Sequence, residues 1–424
     1  FMAMILLSLL GVLLTASAND LVVLFFAIEL VSVPTYVLIA LSRSDVRASE
    51  SAVKYFFLGA LAAAVLAYGF AFLYGAFGTT TLFSHAGGAW ASTWTVGGAL
   101  PTLAVIGLLF VFGGLAFKIA AVPFHVYAPD VYEGASSSVT GLLGFVPKFA
   151  GFIALIKVLA ALNWLLPESL NWVLWLMAAC SMTFGNVLAL LQQNVKRMLA
   201  YSSIAHTGYM LIAVVVGPVA GSGPMKDGVA ALLFYIAIYG LMNLGVFAVL
   251  TAFRSGERAM ETLEDVSGLA KRAPLAALAL AVCVFSLMGF PPTAGFLGKL
   301  YVFSAAFSVD ASRAFHGPII ALAIIGVINS AIAAAYYLRI VAAAYVREDV
   351  DVATSRGGFP VRAALALCAL PMLAFFVLPG HLAAQAKRAT VTLHESISTH
   401  TMQRAGAEPL TGPSRTANAA VDRP

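Results

Sequence analysis

The chain has 424 residues, 61% of them hydrophobic and only 10% charged, with a net charge of +5 and a mean hydropathy of +0.94. Soluble domains carry roughly a quarter charged residues, so a soluble enzyme is excluded and a polytopic membrane protein is expected. The basic residues sit in short loops between apolar runs, which removes nucleic acid as a partner.

Apolar spans, each near the roughly 17–25 residues that a bilayer crossing requires, fall at 1–18, 21–42, 50–75, 102–121, 136–160, 171–192, 197–217, 228–253, 274–309, 317–346 and 360–379. They number eleven when the long 274–309 segment counts as one interrupted span. Phe1 is already apolar and has no charged leader before it, so it reads as the interior of a longer chain. Residues 76–101 form an uncharged Gly/Thr/Ser-rich connection and 254–273 a charged one. From about Ala383 the chain turns polar, and 383–424 is expected to be disordered.

Basic loop residues tend to lie on the cytoplasmic side, and here they alternate. Arg43, Arg47, Lys196, Arg197, Arg254, Arg258, Lys271, Arg272, Arg347 and Arg356 all fall on one side of the span count. The other side holds Lys226 and Arg313, then Lys387 and Arg388 in the tail, a discord with the rule. Cys180, Cys283 and Cys368 lie far apart in apolar runs, and no Cys cluster or Gly-rich nucleotide loop is present. The chain itself is therefore expected to bind no electron carrier and no metal.

The segment Gly113 to Lys148 organises the rest. An apolar helix runs into Lys118 and then meets Pro123, His125, Pro129, Asp130 and Glu133 before hydrophobicity resumes around Lys148. Backbone broken at membrane depth is tolerated only inside protein or beside a wet cavity. LMGFPPTAGFLGK, ending at Lys299, repeats the pattern of LAFKIAAVPFH, and paired interruptions point to a conduction path.

Inside the spans the acid inventory reduces to Glu29, and the bases to Lys54, Lys118, Lys148, Lys157 and Lys299, with Arg339 nearer an end. Intramembrane ionisable residues are costly and need partners or water. Glu29 lies roughly 12 Å along its helix and reads as a proton-handling acid or one member of a structural ion pair. Lys54, on the next helix, is offset from it by about 10 Å, so a water-bridged Glu29–Lys54 pair is expected; the alternative is a helix-end lysine reaching for water. Lys118, Lys148 and Lys299 each adjoin a helix break. A lysine desolvated among apolar neighbours loses proton affinity and can exchange a proton near neutral pH. Lys157 is expected to snorkel. His125 suits a relay, whereas His206 fits either a relay or a hydrogen-bonded core residue. Asp130 and Glu133 cap helix ends or bind a neighbouring chain. Tyr201, Ser202 and Ser203 are read as interhelical hydrogen bonders.

KIAAVPFHVYAPDVYEGASSSV, NVKRMLAYSSIAHTGYM, LMGFPPTAGFLGKLYVF, IELVSVPTYVL and ESAVKYFFLGA together resemble the antiporter-like membrane subunits of proton-pumping NADH-quinone oxidoreductase, respiratory complex I, and subunit N in particular. The resemblance covers residues 1–380. It implies an acid–lysine pair in Glu29 and Lys54, broken-helix lysines in Lys118 and Lys299, a central lysine in Lys148 and a connecting relay in His125. It also implies about three further helices before Phe1. The loop reads GASSSV where the family commonly has a proline-containing GAPTPV.

The fold expected is an all-α polytopic membrane bundle of about eleven helices, arranged as two inverted five-helix repeats. The first half is 1–160, broken near 118–135, and the second is 161–350, broken near 286–299. A C-terminal transmembrane helix follows at 351–382. The function implied is proton translocation through lysines and water in a bacterial inner membrane. It would be coupled to quinone reduction in partner subunits that carry NADH, FMN, iron–sulfur clusters and quinone. Neighbouring antiporter-like subunits and the bilayer are the expected partners. The alternative is a secondary cation/proton antiporter without a redox partner.

Overall fold

The computed structural model describes residues 1–84, 87–88, 90, 100–219, 223–255, 258–346, 353–355 and 358–390. Arg347, Arg356 and the tail from 391 onward lie outside the described residues. The helices are α1 (Met2–Ser17), α2 (Leu21–Ser42), α3 (Val46–Phe77), α4 (Thr102–Lys118), α5 (Ala128–Gly134), α6 (Ser137–Leu143), α7 (Val146–Ala161) and α8 (Glu168–Leu190). They continue as α9 (Val195–Val216), α10 (Gly228–Ala252), α11 (Leu269–Arg272), α12 (Pro274–Met288), α13 (Ala294–Phe307), α14 (His316–Tyr345) and α15 (Phe359–Val377). Among the described residues, eight helical stretches are long and apolar enough to cross a membrane, one of them Ser137–Ala161, which joins α6 and α7. With α1, α4 and the α12–α13 pair they reproduce the eleven crossings read from the sequence.

Helix starts follow from local chemistry. Asp20, Asp45, Asn194 and Asp227 accept backbone N–H groups of α2, α3, α9 and α10 through their side chains, which satisfies donors that a helix N-terminus leaves open. The interior is set by polarity. Every residue of α9 except Arg197 and Tyr201 is buried, although this helix carries Ser202, Ser203, His206, Thr207 and Tyr209. Lipid offers no hydrogen-bond partners, so the most polar span occupies the middle of the bundle. The outer helices are apolar on the face they expose, as with Phe56, Phe57 and Leu61 on α3 and Leu367 and Leu370 on α15.

The loops sort into two ends. At one end, Arg43 pairs with Glu261 at 2.5 Å, the Val195 N–H donates to the Glu261 carbonyl, and the Lys196 ammonium reaches Glu261 at 3.2 Å. Short antiparallel strands join there too: β3 (Phe253–Ser255) pairs with β4 (Arg258–Ala259) and β5 (Ala353–Ser355). At the other end the Leu21 N–H donates to the Thr80 carbonyl, near a hairpin of β1 (Phe83–Ser84) and β2 (Gly87–Gly88). Arg313 donates to the Val216 carbonyl there, and Lys387 pairs with Asp227 at 2.7 Å. The loops grouped by positive charge are thus physically one face. Lys387, the discord in the charge rule, is matched by a buried carboxylate.

Two details differ from the sequence expectation. Residues 380–390 are helical, because Lys387 ties them to Asp227 and the Val219 carbonyl. The 136–160 span is bent where α6 meets α7, at Gly144 and Phe145, immediately before Pro147.

Candidate functional site: a polar axis through the bundle

The first break begins where α4 stops at Lys118; residues 119–127 turn, and α5 returns toward the charged end. The second separates α12 from α13 at Gly289–Thr293. A broken helix leaves carbonyls open, and the polar side chains of the axis take them. Thr207 donates to the Ile119 carbonyl at 2.7 Å and Tyr127 to that of Phe117 at 2.8 Å. Lys299 donates to the Met288 carbonyl at 2.9 Å.

The axis starts at Glu29 on α2. Its Oε1 lies 2.8 Å from the Lys118 Nζ, which also donates to Ser32 Oγ at 2.8 Å. Lys118 is buried and Glu29 part-buried. A cavity of about 10 Å3, on the order of one water, lies beside Lys118 and reaches Lys148 between Tyr55, Tyr127 and Tyr132. Lys148, in the first turn of α7, donates to the Ser203 carbonyl and to Thr207 Oγ1 at 2.9 Å on α9. Tyr132 and Tyr239 hydroxyls close on Ser203 Oγ at 3.0 and 2.9 Å.

His206 follows one turn later, buried and held on both sides. Nδ1 is 2.7 Å from the Tyr235 hydroxyl and Nε2 is 3.0 Å from that of Tyr337. Tyr337 continues to Ser202 Oγ. A neutral imidazole donates through one nitrogen and accepts through the other. Hydroxyls can do either, so both tautomers fit this site. His206 lies within electrostatic reach of both Lys148 and Lys299. Lys299 closes the axis: its Nζ donates to Ser330 Oγ at 2.8 Å and sits 4.8 Å from the Tyr209 ring centre. Tyr209 accepts in turn from Asn186 at 3.0 Å.

Two expected residues lie elsewhere. Lys54 does not pair with Glu29: it is 44% exposed and binds Glu50 at 2.7 Å and Asp130 at 3.0 Å. Its position two turns into α3 puts it within reach of the charged end, whereas Glu29 lies at the depth where α4 ends and so meets Lys118. His125 is part-exposed in the first break, and no hydrogen bond joins it to a lysine among the described residues. Lys157 reaches the opposite end but bonds to protein, donating to the Ala18 carbonyl at 2.5 Å.

Asp130 and Glu133 both accept from Arg197 on α9, at 2.8 and 2.7 Å, and so clamp α5. Burial opposes ionisation of Asp130, but hydrogen bonds from Lys54 and Arg197 outweigh it and hold its carboxyl below the ordinary value. The tyrosines were missed by the sequence reading, although their spacing is informative: Tyr235 and Tyr239 are one turn apart, as are Ser202, Ser203, His206 and Thr207 in pairs.

Residues 18–332 match the family described as NADH:quinone oxidoreductase/Mrp antiporter, transmembrane. NADH-quinone oxidoreductase subunit N of Rhodospirillum rubrum is 39% identical over 379 residues, 89% of this chain and 74% of its own length. The chain belongs to the subunit N family. A chain of respiratory complex I from Thermus thermophilus with bound aureothin is 34% identical with a TM-score of 0.73, over 90% of this chain and 78% of that one. A chain of the Mrp complex from Dietzia sp. has a TM-score of 0.77 at 22% identity, covering 95% and 79%, a likeness of fold.

Proposed function

We propose that this chain moves protons along the axis Glu29–Lys118–Lys148–His206–Lys299, as a membrane subunit of an NADH-quinone oxidoreductase. The observation that carries the proposal is Lys118, with a carboxylate on one side and a cavity leading to Lys148 on the other. An ammonium that leaves its carboxylate among apolar neighbours is costly, so displacement of Lys118 from Glu29 favours handing its proton through the cavity toward Lys148. His206, with hydroxyls on both nitrogens, passes the charge between Lys148 and Lys299 by tautomer exchange. Lys54, Asp130 and Arg197 position the break at the charged end, and His125 serves the approach to it. On this reading the chain is a translocase without redox chemistry of its own. NADH, FMN, iron–sulfur clusters and quinone belong to partner subunits, whose quinone reduction drives the displacement. The two breaks mark two halves, 1–160 and 161–350, with 351–382 as an added helix. The antiporter reading has the Mrp likeness in its favour, at 22% identity against 39% for the subunit N relative.

The test is proton pumping driven by NADH in membranes carrying Lys118→Ala or Lys118→Arg. Both should lose most pumping while the complex assembles, because guanidinium does not release its proton at working pH. Full pumping with arginine would overturn the relay. Copurification without flavin- and iron–sulfur-containing subunits would favour the antiporter.

A further inference from the structure

The last lysine of the axis rests on a group of neutral amides and hydroxyls that lies off the relay itself. Asn186 on α8 is buried, and Tyr209 on α9 and Asn329 and Tyr336 on α14 are buried around it. Helices α8 and α9 meet there backbone to backbone. A Cβ added at Gly185 would lie 2.6 Å from the Ala205 nitrogen, and one at Gly208 2.6 Å from the Met182 nitrogen. This approach sets Asn186, next to Gly185, against Tyr209, next to Gly208, at 3.0 Å.

The hydrogen bonds around Asn186 fit together in one direction only. Asn329 lies 3.0 Å from the Ile325 carbonyl, which can only accept, so the Asn329 nitrogen faces Ile325 and its Oδ1 faces Asn186. Asn186 must then present its nitrogen to Asn329, at 3.3 Å, and its Oδ1 to the Tyr336 hydroxyl, which donates at 3.0 Å. A side-chain amide has two N–H donors, and the second goes to the Tyr209 oxygen. Turning the amide over would set two oxygens against each other at Asn329. Because its oxygen already accepts from Asn186, the Tyr209 hydroxyl directs its own hydrogen to Ser330, which lies within hydrogen-bonding reach. Ser330 Oγ is also the oxygen that accepts from Lys299 at 2.8 Å, and the Lys299 Nζ stands 4.8 Å from the Tyr209 ring centre.

We propose that Asn186 is a positioning residue for proton transfer at Lys299. It holds the Tyr209 hydroxyl in one hydrogen-bonding direction, and with it the ring and the Ser330 oxygen that receive the Lys299 side chain. The inference rests on the relay proposed above. A carboxamide is neutral and carries no proton itself, so its contribution is that Lys299 meets the same acceptors at each turn. A leucine would fill the space between α8, α9 and α14 but would leave Tyr209, Tyr336 and Asn329 to turn to other partners.

The test is NADH-driven proton pumping by the assembled complex, each rate taken relative to the unaltered complex at the same pH. Asn186→Leu should lower pumping about fivefold, the order of one buried hydrogen bond lost. Asn186→Asp is the sharper variant, because an ionised carboxylate only accepts whereas a protonated one donates a single hydrogen bond. Burial disfavours the charge, so this variant should pump poorly at about pH 8 and recover toward the unaltered rate at about pH 6. The protonated oxygen then replaces the donor to Tyr209. Among the described residues the titratable side chains bonded to Asn186 are Tyr209 and Tyr336, and phenols ordinarily ionise near about pH 10, well above that window. Lys299 stands beyond Tyr209, and its own pH response is shared with the unaltered complex and removed by the ratio. In a Tyr209→Phe background the recovery at low pH should disappear, and Asn186→Leu should add no further loss. Recovery that survived Tyr209→Phe, or an Asn186→Asp rate independent of pH, would leave a merely space-filling amide and overturn the proposal. Lys118→Ala in parallel separates the two readings. Normal pumping by it overturns the relay and this inference with it, whereas its loss beside a normal Asn186→Leu overturns this inference alone. The Asp variant, nearly the shape of asparagine, decides even if the Leu variant fails to assemble.

Discussion

At the scale of single residues, the acid–lysine pair is decided by depth. Glu29 meets Lys118 at 2.8 Å, so these two should act as a unit in a double-mutant cycle. Glu29→Gln plus Lys118→Met should pump no worse than the more damaging single change, whereas Glu29→Gln with Lys54→Met should give additive losses. Additivity in the first cycle would separate the pair. Gly289 supplies a second test beside Lys299. Its φ is +82°, and an added Cβ would lie 2.9 Å from the Lys299 Cδ. Gly289→Ala should therefore cost about 1–2 kcal/mol in stability and lower pumping by displacing Lys299. Gly317→Ala, with nothing within 4 Å of its Cβ, is the control and should leave melting unchanged or slightly raised.

At the scale of elements, the first break is held from the charged end. Arg197 on α9 and Lys54 on α3 both grip Asp130 on α5. The folded state holds the Asp130 carboxyl below its ordinary value, so the ionised form contributes stability above the unfolded-state value and loses it as pH falls through the lower folded value. Wild type should accordingly melt higher than Asp130→Asn at neutral pH. The difference should persist down to about pH 4 and vanish below it. A difference that disappeared near pH 6 would mean that a histidine, not Asp130, controls the clamp.

At the scale of the whole molecule, sidedness follows from which loops are joined. Lys271, in the short helix α11 before α12, and Asp310, in the connection after α13, lie at opposite ends of the α12–α13 pair, and both are exposed. In a background with Cys180, Cys283 and Cys368 replaced by Ser, Lys271→Cys should react with an impermeant maleimide from the cytoplasmic side. Asp310→Cys should react only from the other. Reaction of both from one side would remove the crossing between them and with it the count of eleven.

The number of crossings, their alternation and the positions of both breaks were legible in the amino-acid order. Apolar runs, prolines and loop charges are local quantities, and bilayer thickness converts them directly into spans. The lysines were legible for the same reason, since a charge in an apolar run stands out without any knowledge of its neighbours. Partnership was not. Lys54 lies on α3, which packs directly on α2, yet only the tertiary structure ended α4 at the depth of Glu29, which put Lys118 against it and left Lys54 to Asp130. His206 remained ambiguous in the sequence because its role depends on two hydroxyls 29 and 131 residues away, Tyr235 and Tyr337. A tyrosine in an apolar span carries no local sign of the group it will face. The sequence determined where the polar groups are, and the tertiary structure decided which of them touch, because hydrogen bonds act over about 3 Å while helix packing brings together residues a hundred positions apart.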